Sequence, residues 1–477
     1  MSIYSEITFA RKIIFWVLLA FYIITLPILL MFAFGITLEP RGNKPVIRTG
    51  ILEVSSRPSG SLIKINGKSV KEKTPAVIEN MKPGIYTITL VKDKYRSWEA
   101  RVEIKADSVT HLDSVILFPQ RLKQKSLLIK PFRNFIPFAN GEYALLLSDS
   151  VNNISFYDIK SGTILEKPEE LATYDDYVII KVENVPSSDL VFLFLLGAEG
   201  ISVIGLDTQM GKLRIQELTE KFETLPDKIL WYSPYLDMIY FLKGETLYSI
   251  GKNDESTRNL IASSVIGTGY YKNSFFYMLQ NGKIFEINRL GIKLPHIKIE
   301  EEKIRRYFGG GKNLTIFYAE GKKIGIFLKE ERKLLIVSPE RELTWAGITG
   351  EEVDVERDRI LLWTEKGVGT INIPDRFLDS ELPEVNWYLN AIEKINPIGP
   401  IGNNSHFLFS REGKIIAKPI LPKTQGKEYE IVEGLPKEKI YYSEETGKLV
   451  MVKPAKGQIR SLKIIPEKGF SVSKIIK

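Results

Sequence analysis

The stretch Ile239-Tyr240-Phe241-Leu242-Lys243-Gly244-Glu245-Thr246-Leu247-Tyr248-Ser249-Ile250 decides how most of this chain is read. An apolar run, a polar turn containing glycine and a second run rich in β-formers predict a β-hairpin. The same pattern returns, with little identity, along the rest of the chain. It recurs as Phe275 to Leu279 with Ile284 to Ile287, Leu314 to Tyr318 with Ile324 to Leu328, and Ile360 to Trp363 with Val368 to Ile373. His406 to Phe409 with Lys414 to Ala417, and Ile440 to Tyr442 with Leu449 to Val452, complete the series. Upstream, Tyr143 to Leu147 with Ile154 to Ile159, and Val191 to Leu196 with Ile201 to Leu206, fit as well.

The turn glycines stand at 244, 282, 321, 367, 413 and 447, spaced by 38, 39, 46, 46 and 34 residues. A period of about 40–45 residues is that of a four-stranded propeller blade. A lone hairpin cannot bury its faces, whereas blades arranged radially can. Residues 120–477 are therefore expected to form a β-propeller of seven or eight blades, with the aromatic strand residues as packing between blades. The competing architecture is a pair of stacked sandwiches. A closed ring requires its first and last strands to meet, which predicts pairing of Ser126 to Ile129 near Ile459 to Ile465. The Gly-His and Trp-Asp marks of one common repeat class are missing, so the region resembles only the broad, degenerate propeller class.

Upstream of the repeats, residues 50–118 alternate with period two. Ile51, Leu52 and Val54 open a first strand, Arg57-Pro58-Ser59-Gly60 turns, and Leu62, Ile63 and Ile65 run into Asn66-Gly67. Asn-Gly is a strong two-residue hairpin signal, because both residues tolerate positive φ. Thr74-Pro75, Lys82-Pro83-Gly84, Tyr86 to Leu90, Arg101 to Ile104 and His111 to Leu117 continue the series. The succession Val54 to Gly60, Ile65 to Lys68, Thr74-Pro75, Pro83 to Ile88 and Lys92 to Trp98 resembles a PEGA domain. Pro58-Ser59-Gly60-Ser61 carries serine where that family usually has Glu and Ala. The resemblance implies a small β-sandwich of the bacterial or archaeal cell surface, without catalytic residues of its own.

Ile13 to Leu38 is a run of 26 residues with no charge, preceded by Arg11 and Lys12. About 20 apolar residues cross a bilayer as a helix, so residues 13–38 are expected to be a transmembrane helix holding the chain in the lipid bilayer. Pro27 is tolerable in such a helix. A cleaved signal peptide is the alternative, although its apolar core is normally shorter. Residues 1–12 are then a short cytoplasmic N-terminus, and residues 39–49 a linker. The positive-inside rule counts Arg41, Lys44 and Arg48 against Arg11 and Lys12 and leans the other way. The PEGA resemblance instead places the N-terminus inside and the bulk of the chain extracytoplasmic.

The expected fold class is thus all-β with one N-terminal transmembrane helix, a small sandwich and a propeller. Several chemistries are excluded or disfavoured. With no cysteine there is no disulfide, thiol nucleophile or Cys-ligated metal. The net charge of +8 comes from 66 basic residues scattered among 58 acidic ones, so no basic stripe suggests nucleic acid. His111, His296 and His406 are far apart and read as ordinary strand or loop residues. Gly309-Gly310-Gly311-Lys312 lacks P-loop spacing. Asp175-Asp176 and Glu300-Glu301-Glu302 lack a cation-binding ladder. Asn153-Ile154-Ser155, Asn313-Leu314-Thr315 and Asn403-Asn404-Ser405 are formal sequons without an assigned role. No catalytic, cofactor or metal residue is assigned. The expected function is an envelope binding or scaffold protein whose partner is a protein or cell-wall polymer. The alternative is a carbohydrate-active hydrolase built on the propeller, its carboxylates distant in sequence.

Overall fold

The computed structural model describes residues 3–33, 36–38, 46–185, 188–209, 212–222, 224–252, 258–300, 302–303, 314–338, 342–354, 359–372, 385–420, 427–433 and 438–466. The chain divides into two compact units, one built on Met1–Gln120 and the other on Arg121–Lys418 with Glu428–Ile465.

In the first unit a single α-helix covers Ile3–Ala33. It stops short of the expected boundary at Leu38: Ile36–Leu38 is a strand paired antiparallel with Val46–Arg48, so the expected linker also contributes a strand. The apolar side chains described along the helix are mostly exposed. Among the described residues no helix is long and apolar enough to cross a membrane.

The rest of this unit is a sandwich of two sheets. One has the order Ala76–Met81, Gly50–Arg57, Val109–Ile116, the last pair parallel. The other runs Lys68–Lys73, Leu62–Ile65, Gly84–Val91, Trp98–Ile104. Strict alternation decides the packing: from Trp98 to Ile104 every second residue is buried, and Leu52, Val54, Ile63, Ile88 and Leu90 meet them. Asn66 and Gly67 turn the hairpin with φ of 48° and 80°. Ser61, at an alanine position of the family pattern, is fully buried but satisfied. Its hydroxyl donates to Pro58 O (3.1 Å), its N–H donates to Thr74 Oγ1 (2.9 Å), and Ser56 Oγ joins Thr74 Oγ1 at 2.6 Å.

In the second unit, the described strands assemble into eight four-stranded blades. Their inner strands are Asn134–Phe138, Val178–Asn184, Lys228–Ser233, Val265–Tyr271, Leu314–Glu320, Gly350–Asp354, Asn396–Ile401 and Lys439–Ser443, for blades one to eight. Six of the eight hairpins read from sequence are the two middle strands of a blade, which explains their continuous apolar runs, whereas Leu314 to Tyr318 with Ile324 to Leu328, and Ile440 to Tyr442 with Leu449 to Val452, are the inner and first middle strands of blades five and eight. In Val191–Gly197 and Ser274–Leu279 five consecutive residues are buried, because a middle strand packs on both faces. Of the turn glycines, 244, 282, 321, 413 and 447 adopt positive φ. Gly367 instead lies within a strand, where a Cβ would come within 2.6 Å of Leu389 O.

The ring closes through its ends. Gln124–Leu128 is the outer strand of blade eight and pairs antiparallel with Gln458–Lys463, Ser126 opposite Arg460 and Leu127 opposite Ile459. Ile459, Val450 and Val452 of this blade pack with Phe135, Leu146 and Tyr157 of blade one. The rings of Phe135 and Tyr441 stand 4.8 Å apart across the same joint. Similar apolar layers join the other blades, for example Trp231 of blade three stacked on Phe275 of blade four at 5.7 Å. Arg460 makes a two-bond pair with Glu438 (3.0 and 2.6 Å) that is almost entirely buried. Blades four and five are joined further by a short parallel pairing of their inner strands, Gly267 to Gly269 against Leu314 to Ile316.

Candidate functional site

The inner strands of a propeller line its central channel. A cavity of about 550 Å³ is bordered there by residues of five successive inner strands: Asn184, Lys228 to Leu230, Thr268 to Tyr271, Thr315 to Phe317 and Glu351 to Val353. A second hollow of about 620 Å³ shares Lys228 and Thr315 and reaches Asp227, Gly244 and Lys329 to Glu331 at the turns. The size is that of a small-molecule or oligomer-segment site.

Several polar groups around the channel bridge neighbouring blades. Glu183 pairs with Lys181 at 2.6 Å and accepts the Ile229 N–H at 2.5 Å, tying blade two to blade three. Asn184 Nδ2 donates to Pro137 O at 2.7 Å, tying blade two to blade one. Lys272 of blade four meets Glu320 of blade five at 2.7 Å, and Tyr271 donates to the same carboxylate at 3.2 Å. Those bonds hold the Glu320 carboxyl below its ordinary range, Lys272 contributing most. Asp227 is held low too, chiefly by the Gly244 N–H (2.6 Å) and then by Lys243.

Glu351 differs. It borders the cavity on the inner strand of blade six, opposite Leu362 in the sheet. Burial alone pushes its carboxyl up to about 7. A carboxyl poised near neutrality can donate a hydrogen bond as the acid or carry charge once a cation or donor approaches. With Thr268, Thr315 and Lys228, and with the half-buried Tyr270, it gives the cavity hydrogen-bonding groups beside an aromatic residue. A second titratable group lies off the channel between blades two and three. There Lys252 Nζ sits 2.5 Å from Asp207, and burial, then Asp207, raises the Asp189 carboxyl.

The positions singled out from sequence are not drawn together. His111 lies on the sandwich surface 2.9 Å from Glu53. His296 packs edge-on to Phe276 in blade four, its pKa lowered by burial. His406 is fully buried in blade seven, its Nδ1 3.0 Å from Ser405 Oγ, and burial lowers its pKa to about 3. Asp175 pairs with Lys167, and Glu300 lies 3.9 Å from Lys303. Asn153 closes a 3-10 turn, while Asn403 and Asn404 take positive φ between two strands of blade seven. Glu301, Asn313 and Gly309 to Lys312 lie outside the described residues. Among the described residues no cluster of three or more His, Asp or Glu could hold a metal ion. The channel residues were missed because the apolar hairpins drew attention to the middle strands. The available signal was a polar residue in an inner strand: Asn184, Lys228, Thr268 and Glu351 in the strand before a hairpin, and Thr315 in the first strand of one.

Among solved structures the chain is similar to BamB from Moraxella catarrhalis, at 13% identity over 74% of this chain and 100% of that one, TM-score 0.42. It is also similar to the Dos1 propeller (12% identity, 73% and 96% covered, TM-score 0.41) and to apo AztD from Citrobacter koseri (12%, 74% and 93%, TM-score 0.40). The propeller rests on the strand pairing described above and not on these likenesses. No curated protein sequence matches the chain. Residues 49–117 match the family model described as the PEGA domain, and the chain carries a PEGA domain there.

Proposed function

We propose that this is a membrane-anchored cell-envelope binding protein, which presents its PEGA domain and the channel of its propeller to a protein or cell-wall polymer. The observation that carries the reading is the cavity bordered by five inner strands, where the half-buried Tyr270 adjoins Lys228, Thr268, Thr315 and Glu351. A tyrosine beside several hydrogen-bonding groups suits a polar polymer segment such as a glycan or an extended peptide. Anchorage is supported by the uncharged sequence from Ile13 onward within the helix Ile3–Ala33, which covers roughly 30 Å to Ala33 at 1.5 Å per residue. An extracytoplasmic setting is supported by the PEGA domain.

Two measurements test this. Wall polymer immobilised on beads retains the detergent-solubilised chain, and the double substitution Thr268→Ala with Tyr270→Ala weakens retention; equal retention by the variant defeats the channel as the binding site. Protease added to intact spheroplasts digests residues 50–477; protection until lysis reverses the topology. One observation favours a second reading, a carbohydrate-active hydrolase: the Glu351 carboxyl near 7 has the proton affinity of a general acid. Release of new reducing ends from wall glycan, abolished by Glu351→Gln, would replace binding with turnover.

A further inference from the structure

The side of the ring at blades three and four carries an apolar patch that no part of the channel explains. Tyr235, Leu260, Leu290, Ile292 and Leu294 each expose between 42% and 70% of their surface. Two contacts hold these segments together. Leu236 packs directly on Gly291, where an added Cβ would lie 2.7 Å from Leu236 Cδ1, and Lys293 Nζ reaches Ile261 O at 3.4 Å. Single exposed apolar residues need no explanation, but a contiguous group marks an interaction surface.

Two further observations identify what that surface meets. First, the exposed apolar residues alternate with bases: Arg289-Leu290-Gly291-Ile292-Lys293-Leu294 continues to Lys298, and no Asp or Glu occurs from Ile287 to Ile299. Across the patch, residues 256–272 also lack an acid and include Arg258. The nearby acid Asp237 accepts the Tyr232 hydroxyl at 2.8 Å. Second, the tip of the loop satisfies its own backbone. Asn288 Oδ1 accepts the N–H groups of Leu290 and Ile292, both at 3.0 Å; Asn288 O accepts that of Gly291 at 2.9 Å, and Ile292 O accepts that of Asn288 at 3.2 Å. A loop whose amides are already bonded can leave water without stranding polar groups.

We propose that this patch docks on an anionic lipid surface, with Leu290 and Ile292 entering the boundary between headgroups and acyl chains and Arg289 and Lys298 meeting lipid phosphates. Apolar tips ringed by bases, with Tyr235 beside them, are the chemistry of interfacial attachment. The contact is separate from the N-terminal helix. The helix would fix the chain in a bilayer, while the patch would hold this side of the ring down on one.

The chain has no cysteine, so Ile292→Cys gives a single site for an environment-sensitive fluorophore. The labelled full-length protein is reconstituted into vesicles of phosphatidylcholine alone or mixed with phosphatidylglycerol, some of either carrying spin-labelled acyl chains. Retention on the vesicles after an alkaline wash reports the helix; quenching at position 292 reports the patch, so either can fail alone. The expected result is quenching in the mixed vesicles that falls about fivefold on Arg289→Gln, the factor associated with losing one base near an anionic surface. It also falls in high salt. Absence of quenching in both vesicle types overturns the proposal. So does a blue shift that depends only on protein concentration in detergent, which would assign the patch to a second copy of the chain.

Discussion

Closure of the ring makes its two ends a determinant of the stability of every blade, and Ile459 is the residue on which to test this. It is fully buried, lies between Leu127 of the outer strand and Val452, and packs against blade one. Ile459→Ala removes that packing and leaves a cavity, at a cost of about 2–5 kcal/mol. Domains of this kind hold only about 5–15 kcal/mol in total, so the change is a large fraction of it. The assay is urea unfolding in mild detergent, read from Trp231 with the other five tryptophans replaced by phenylalanine. Trp231 is buried in blade three, separated from the joint by blades one and two. If the ring unfolds as one unit, the Trp231 transition moves to lower urea by about 1 M, taking a slope of roughly 3 kcal/mol per molar. The control Ile250→Ala, a fully buried residue of blade three, moves it comparably. A Trp231 transition that is unchanged by Ile459→Ala but shifted by Ile250→Ala would refute cooperative closure and leave blade eight as a fraying end.

Other consequences follow from buried charge and close approach. Glu351 has a folded pKa of about 7 against 4.5 unfolded, so its contribution to stability is present below about 4.5 and lost as pH rises through 7. Glu351→Gln should therefore leave melting unchanged near pH 4 and raise stability at pH 8 by up to about 3 kcal/mol, measured by thermal denaturation across that range. His406 works from the other side. With a folded pKa of about 3 against 6.5 unfolded, it makes stability fall as pH drops from about 6.5 toward 3, and His406→Phe should flatten that limb in the same assay. Arg460→Met leaves Glu438 buried without its partner and should cost about 3–5 kcal/mol in urea unfolding, most of which the added Glu438→Leu returns. Gly269→Ala places a Cβ 1.6 Å from Ile316 O, so the parallel pairing of blades four and five must part; a loss of about 1–3 kcal/mol and faster amide exchange at Thr268 and Thr315 are expected.

Period and alternation by themselves determined a good deal here. The hairpins at intervals near 40 residues were legible because middle strands are buried on both faces and so must be apolar throughout. The PEGA sandwich was legible because Asn66-Gly67, Trp98 and strict alternation are local signals that do not depend on distant partners. Apart from Leu314 to Tyr318 and Ile440 to Tyr442, the inner strands, and all the outer ones, were not legible as repeats. Asn259–Ala262 and Lys293–Lys298 are mostly exposed, so solvent accepts nearly any residue there. The number of blades, the register of Ser126 on Arg460 and the parallel pairing at Gly269 were decided only in the folded chain, because each joins segments whose meeting depends on the angle accumulated around the ring. The same holds for the channel. Asn184, Lys228, Thr268, Thr315 and Glu351 are far apart in the sequence, and only the convergence of five inner strands on one axis makes them neighbours and shields Glu351 from part of the water.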